Sequence, residues 1–287
     1  MTTRVRPGNR RVTGKEQFYT PQELALRLTA KLIDVVGPLD GKTVLEPAGG
    51  TGSFVQAAKQ LGAKQVISFD IEPKADSVIR ADFLDADLSK VSQAVTVSNP
   101  PFGRNNSLSI PFFNKAAKHS EIIAFIVPRS WRKWSVLNRL DRNFHLVHDE
   151  DLAIDYVDEL GLMVWQKARL NTCFQIWQRK NELRDIIRIE DFGLVSKVDP
   201  SEADVAITVF GYGCGKVRTS FEPVPNSTVM FLKLHDPRVL PALGKVDFSR
   251  FYRNTAYTEA LSLQEIRFLL NEEILGDPGV INMKDTK

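Results

Sequence analysis

The stretch Glu121–Val127 (EIIAFIV) is apolar on both sides of a two-residue alternation, so as a strand it has no face that can be left in water. Such a strand belongs inside a sheet covered on both sides, which calls for strands alternating with helices. The rest of the chain supplies the alternation. Thr20-Pro21 followed by Glu23, Leu24, Leu26, Leu28 and Leu32 predicts a helix with Thr20 as its N-cap and Pro21 in its first turn. Lys42–Leu45 predicts a short strand that runs into the glycine-rich turn Gly49-Gly50-Thr51-Gly52. Ser53–Leu61 then has helical spacing, with Phe54, Ala57, Ala58 and Leu61 on one face. Gln65–Phe69 predicts a second strand closing on Asp70, and Val95–Ser98 a third leading into Asn99-Pro100-Pro101-Phe102. The expected fold class is α/β, with a mostly parallel, Rossmann-like sheet and helices on both faces.

The chain has 287 residues, of which 43% are hydrophobic and 25% charged. That length suits one large domain or a core domain with a smaller appendage. With 38 Lys and Arg against 35 Asp and Glu, the net charge is +3, which excludes a histone-like chain and an acidic disordered one. No apolar run reaches the roughly 18 residues of a membrane-spanning helix. The opening MTTRVRPGNRRVTGKEQF has no apolar run behind its basic residues, so no secretory signal is expected. Cys173 and Cys214 are too few for a disulfide framework or a four-thiolate zinc site, and His119, His145, His148 and His235 show no ligand spacing with them. No metal and no membrane are therefore expected, in a reducing, cytoplasmic setting. Residues 1–17 form a basic arm (Arg4, Arg6, Arg10, Arg11, Lys15), 18–180 a core domain, and 181–287 a smaller unit. In that unit VAITVFGYG at 205–213 reads as strand-like, 223–225 as a Pro-rich turn, and Ser262–Leu275 as a final helix.

In open parallel sheets, ligands bind beyond the carboxyl ends of the strands. Three segments fall at such ends. The glycine turn lets the backbone approach a ligand closely, but it misses G-x-G-x-x-G and has no G-K-[ST], against a phosphate loop. Asp70, eighteen residues after Gly52, offers two oxygens to the hydroxyls of a ribose. Asp82-Phe83 is an acid and an aromatic suited to an adenine ring. Singly, these describe an ordinary turn, a solvated acid and a loop beside a core Phe. In this order they describe a site for an adenosine-bearing cofactor without phosphates, which S-adenosylmethionine fits. Asn99-Pro100-Pro101-Phe102 carries the chemistry. Two prolines take the chain out of the sheet as a stiff loop. The Asn99 side-chain oxygen and the Pro100 carbonyl then present two acceptors to an exocyclic amine, and Phe102 presents a face for a base, a stacking interaction of roughly 1–3 kcal/mol.

On these residues the chain resembles the adenine-N6 methyltransferases of nucleic acids, in the order that places the amino-terminal cofactor motif first. Phe18-Tyr19-Thr20-Pro21 resembles that motif, and Val44–Phe54 (VLEPAGGTGSF) the glycine motif, with Gly49 where the family commonly has a cysteine. Asp70 matches the ribose-binding acid, Asp82-Phe83 the pair around the cofactor adenine, and Asn99–Phe102 the catalytic [DNS]-P-P-[YFW] motif. Pro111–Ala117 and Ile122–Trp131 resemble the helix and strand that follow. The resemblance covers residues 15 to about 180. It implies a class I methyltransferase sheet, S-adenosylmethionine as cofactor and S-adenosylhomocysteine as product. It implies catalytic roles for Asn99, Pro100 and Phe102, and cofactor contacts from Tyr19, Thr20, Glu46, Ala48, Gly50, Asp70, Ile71, Asp82, Phe83 and Asn99.

A base inside a duplex must be flipped out to reach such a site. Arg104, Arg129, Arg132 and Lys133, with Trp131, are the expected nucleic-acid contacts, alongside Trp134, Arg139 and Arg142. A solvated basic face accounts for such a cluster equally well. The leading expectation is methyl transfer to adenine N6 in DNA, which would make the protein nucleoid-associated. The alternatives are the same chemistry on RNA, ribosomal or cap-adjacent, then methylation of a protein glutamine, then a non-catalytic nucleic-acid-binding module.

Overall fold

The computed structural model describes residues 19–163 and 170–283; Phe18 and the basic arm lie outside the described residues. The chain divides into two compact units, the first running to Pro128 and resuming over Arg139–Arg184, the second formed by Arg129–Asn138 and everything from Asp185 onward.

In the first unit the described elements are α1 (Gln22–Val36), β1 (Thr43–Glu46), α2 (Ser53–Gln60), β2 (Gln65–Asp70), β3 (Ile79–Arg80), β4 (Ala94–Ser98), α3 (Ser109–Ala117), β5 (Ser120–Pro128), β6 (Phe144–Leu152) and β7 (Thr172–Arg179). They build one seven-stranded sheet in the order β3-β2-β1-β4-β5-β7-β6. Strands β1 to β5 pair in parallel, and β7 runs antiparallel to both β5 and β6. This is the class I methyltransferase sheet. Every residue of β4 is buried, and all of β5 except Glu121, as expected of central strands covered on both faces. Helix α1 begins one residue later than its spacing predicts. Pro21 occupies the N-cap position, where its ring offers no side-chain cap, and the Thr20 hydroxyl instead accepts from the Asn99 amide. Strands β6 and β7 had no separate signal in the sequence reading. Their partners, rather than their periodicity, define them.

The second unit holds α4 (Trp134–Leu137), β8 (Ile186–Ile189), β9 (Val195–Lys197), β10 (Val205–Thr208), β11 (Val217–Arg218), β12 (Val229–Leu234), α5 (Val239–Leu243), α6 (Ser249–Tyr252), α7 (Leu263–Leu275) and β13 (Val280–Met283). An antiparallel sheet of order β11-β10-β12-β9 and a β13-β8 pair result. Val205, Ile207, Leu232, Ile266 and Leu270 lie in its core. The expected strand at 205–213 stops at Thr208, where the glycines of FGYGCG turn the chain. The final helix starts on a full capping box between Ser262 and Glu265. Arg129–Asn138 does not belong to the 18–180 domain in which the sequence reading placed it. The Trp134 ring packs at 5.4 Å from Phe251 and 5.5 Å from Phe268, and the Lys133 ammonium lies 2.9 Å from the buried Glu265 carboxylate. An aromatic and a cation that look like a surface cluster are a half-buried packing contact and a clamp of the second unit.

Phe113 anchors the first unit's core, with its ring 6.1 Å from Phe125, 5.5 Å from Phe144 and 5.6 Å from Trp177. Phe113→Ala leaves a cavity that neighbouring strands cannot close. The expected loss is about 3–5 kcal/mol, read as a lower midpoint in urea unfolding followed by tryptophan fluorescence.

Candidate active site

Strands β1, β2 and β4 are parallel neighbours, so the glycine turn, Asp70 and the Asn99 loop all leave the sheet at one edge. The turn is built on Glu46. Its side chain is buried, and Oε1 accepts a 2.5 Å hydrogen bond from the Ser98 hydroxyl and a 3.2 Å bond from the Ala48 N–H. Burial pushes the Glu46 carboxyl from its ordinary 4.5 up to about 8; the Ser98 and Ala48 hydrogen bonds oppose that rise, and the Asp70 charge adds to it. Gly49 leaves no room for a side chain: a Cβ there would lie 2.1 Å from Ser68 Oγ and 2.9 Å from a Val78 methyl. Gly50 has a φ of 47°, and its N–H donates to Asp70 Oδ2 at 2.8 Å. The Glu72 N–H donates to Asp70 Oδ1, also at 2.8 Å. Each carboxylate oxygen thus spends one lone pair on the backbone and keeps another for a ligand hydroxyl.

Tyr19 lies across this turn, its ring 2.7 Å from the point a Gly50 Cβ would occupy. Its backbone pairs in both directions with Val157, at 3.2 and 3.1 Å, and burial raises the phenol pKa. Tyr19, Thr20, Ala48, Gly49, Gly50, Thr51, Ser53, Phe54 and Asn99 enclose a cavity of about 30 Å³. Ile71, beside Asp70, leaves 53% of its surface exposed, an apolar side chain held open at a strand end. Asp82 is exposed, with Oδ1 accepting from the Leu84 N–H at 2.8 Å.

The expected role of the Phe83 ring needs correction. It is buried against Phe69 and Phe112, at 6.1 and 5.3 Å, so it is scaffold rather than a face offered to a ligand. Lys115 secures that loop, donating at 2.7 Å to the carbonyls of both Leu84 and Ala86.

The Asn99 amide Nδ2 donates to Thr20 Oγ1 at 3.2 Å. That bond commits the nitrogen to the segment ahead of α1, and Oδ1 is buried. Pro100 is buried and Phe102 half-buried. The Phe102 carbonyl accepts from the Leu108 and Ser109 N–H groups, at 3.2 and 3.4 Å. Asn105 and Asn106 both take left-handed backbone, with φ of 54° and 62°, a conformation Asn tolerates better than most residues. The loop is therefore stiff at both ends.

The expected nucleic-acid contacts divide between the units. Arg104 is exposed in the first, while Arg129, Trp131, Arg132 and Lys133 belong to the second. Two of these are corrections. Trp131 is fully buried and presents no ring, and Lys133 is committed to Glu265 and to the Ala260 carbonyl at 3.1 Å. Ser98, Lys115 and the Tyr19–Val157 pairing were missed. Ser98 directly precedes the Asn99–Phe102 loop and had that much signal; Lys115 and Val157 had none, since their partners lie 29 to 138 residues away.

No protein-family model matches the chain. Among curated proteins it is similar to ribosomal RNA small subunit methyltransferase A of Sinorhizobium medicae strain WSM419, with 21% identity over 237 residues, 75% of this chain and 82% of the relative. Among solved structures it is similar to PH1948 of Pyrococcus horikoshii, provisionally described as an RNA methyltransferase: 19% identity, 61% of this chain and 94% of that one, TM-score 0.46. It is also similar to a modification subunit from Vibrio vulnificus YJ016, provisionally assigned to a type I restriction enzyme: 16% identity, 60% of this chain and 46% of that one, TM-score 0.44.

Glu46 makes stability pH-dependent. The fold holds its proton more tightly than the unfolded chain, so this contribution is full below about pH 4.5 and is lost as pH rises through about 8. Glu46→Gln cannot ionise and keeps an acceptor for Ser98. Its melting temperature should fall less than the wild-type value between about pH 6 and about pH 8.5, as read by differential scanning fluorimetry.

Proposed function

We propose that this chain is a methyltransferase that moves a methyl group from S-adenosylmethionine to the N6 amine of adenine in RNA. The observation that carries the reading is the Asn99–Phe102 loop, stiff at both ends, leaving the sheet beside the glycine turn and Asp70. Asp70, with a spare lone pair on each oxygen, suits a ribose diol. Exposed Ile71 and Asp82 suit the adenine, and Tyr19, Thr20 and the glycine turn, which line a cavity of only about one water's volume, mark the end at which the amino-acid group would enter. When bound, S-adenosylmethionine supplies a methyl group on a positively charged sulfur. Asn99 Oδ1 and the Pro100 carbonyl accept the two amine hydrogens, which leaves the N6 lone pair directed at the methyl carbon. Phe102 stacks on the target base and excludes water. After direct transfer the amine gives up one proton; neither acceptor is basic enough to keep it, so it passes to solvent.

RNA replaces DNA as the favoured polymer. The curated relative is named for ribosomal RNA, and no residue of this chain's described site selects for DNA. Transfer to DNA, which the motifs through residue 180 allow equally, is the competing arm of the test.

Incubation with methyl-labelled S-adenosylmethionine and RNA, duplex DNA, single-stranded DNA or a glutamine-containing protein decides the polymer. Label in RNA, recovered as N6-methyladenosine after digestion, is expected; label confined to DNA or protein overturns the reading. Asn99→Ala should lower the rate at least about 100-fold, a larger effect than any it has on cofactor affinity. Asp70→Ala should instead weaken cofactor binding by about 1.5–3 kcal/mol, measured by calorimetry.

A further inference from the structure

The β10–β11 loop of the second unit carries a feature that the proposed chemistry leaves unused. Residues 209–215 read Val-Phe-Gly-Tyr-Gly-Cys-Gly. Tyr212 at the tip is as exposed as a side chain can be, and Phe210 keeps 49% of its surface in water. Neither flanking glycine has any atom within 4 Å of the place a Cβ would take, and the full exposure of Tyr212 leaves its ring open to a planar partner.

This loop is held in place. The Cys214 N–H donates to the Gly211 carbonyl at 3.1 Å, the Gly215 N–H to Thr208 at 2.8 Å, and the Lys216 N–H to Gly213 at 3.0 Å. The segment ahead of α7 fastens it from the side. Phe210 pairs with Ala260, the Gly211 N–H donates to the Glu259 carbonyl at 2.9 Å, and the Leu261 N–H to Val209 at 2.9 Å. Ala260 in turn donates to the Tyr252 carbonyl at 3.1 Å, and its own carbonyl accepts from Lys133. Lys133 thus anchors the platform from below. Tyr257, on the same segment, is 45% exposed, and the Arg253 guanidinium lies 5.7 Å from the Tyr252 ring.

The exposed large apolar side chains of residues 209–218 and 252–260 are Phe210, Tyr212 and Tyr257, with no aliphatic among them. The same two segments carry three cations, Lys216, Arg218 and Arg253, and one acid, Glu259, with Asp247 close enough to feel the Arg253 charge. Lys216, Arg218 and Arg253 make no ion pair among the described residues. A docking groove for a protein helix would show aliphatic side chains. Planar rings with spare positive charge instead match unpaired bases on a phosphate backbone.

We propose that the Phe210, Tyr212 and Tyr257 rings form a stacking surface for unpaired bases of an RNA strand, with Lys216, Arg218 and Arg253 meeting its phosphates. This rests on the proposed RNA substrate and names the part of the chain that engages it outside the chemistry.

The test is fluorescence anisotropy of the full chain with a labelled single-stranded RNA oligomer and with its duplex, beside the methylation assay on the same proteins. Tyr212→Ala removes a fully exposed side chain and leaves the fold intact. It should weaken single-strand binding about five- to a hundredfold, and the Phe210→Ala double variant should weaken it further. Tyr212→Phe should retain binding and Tyr212→Leu should not, since stacking needs the ring. S-adenosylmethionine affinity should be unchanged in all four. Unchanged RNA binding in the double variant overturns the surface, as does full rescue by leucine, equal affinity for the duplex, or no RNA binding by the wild type. Wild-type methylation of RNA with binding indifferent to Tyr212 removes this surface and leaves the proposed function standing. Ring-dependent RNA binding without methylation does the reverse.

Discussion

Much of the candidate site hangs on one buried carboxyl group. Glu46 ends β1, and its Oε1 receives both the Ser98 hydroxyl at the end of β4 and the Ala48 N–H inside the glycine turn. A buried polar group without partners costs about 1–3 kcal/mol, so this pair of bonds is strongly selected over looser arrangements. It ties the turn that would cradle the cofactor to the strand that launches the Asn99 loop. Without it, two segments 52 residues apart would share only the parallel register of β1 and β4.

Asp70 and Thr20 extend the same logic outward. Asp70 braces the glycine turn through the Gly50 N–H and still has lone pairs to offer. Thr20 gives up its expected role as a helix cap to hold the Asn99 amide nitrogen. Each of these side chains is fixed by a structural bond and, in the proposed function, also faces the cofactor or its neighbour. The backbone bonds set its direction, and the remaining acceptor capacity is what a ligand meets.

The second unit solves a different problem. A short run after β5, Arg129–Asn138, joins it rather than the sheet that β5 belongs to. Lys133 is drawn to Glu265, which also closes the capping box of α7, and Trp134 is drawn between Phe251 and Phe268. Burying an unpaired Lys is costly, so the pair must form together. The cations and aromatics that sequence alone marks as a nucleic-acid surface are partly consumed in this way. The open aromatic surface lies instead on the loop that Lys133 supports.

The strand–helix alternation, the glycine turn, the acid ending β2 and the Asn-Pro-Pro-Phe loop were all legible in the sequence, because each is encoded by neighbours within one turn or one strand. Apolar periodicity, proline and glycine act locally. What sequence could not decide were the pairings of distant groups: Glu46 with Ser98, Thr20 with Asn99, Tyr19 with Val157, Lys133 with Glu265. It also could not tell the buried rings of Phe83 and Trp131 from the open ring of Tyr212. Exposure and charge pairing depend on which surfaces meet once the sheet has closed, and only the tertiary structure sets that.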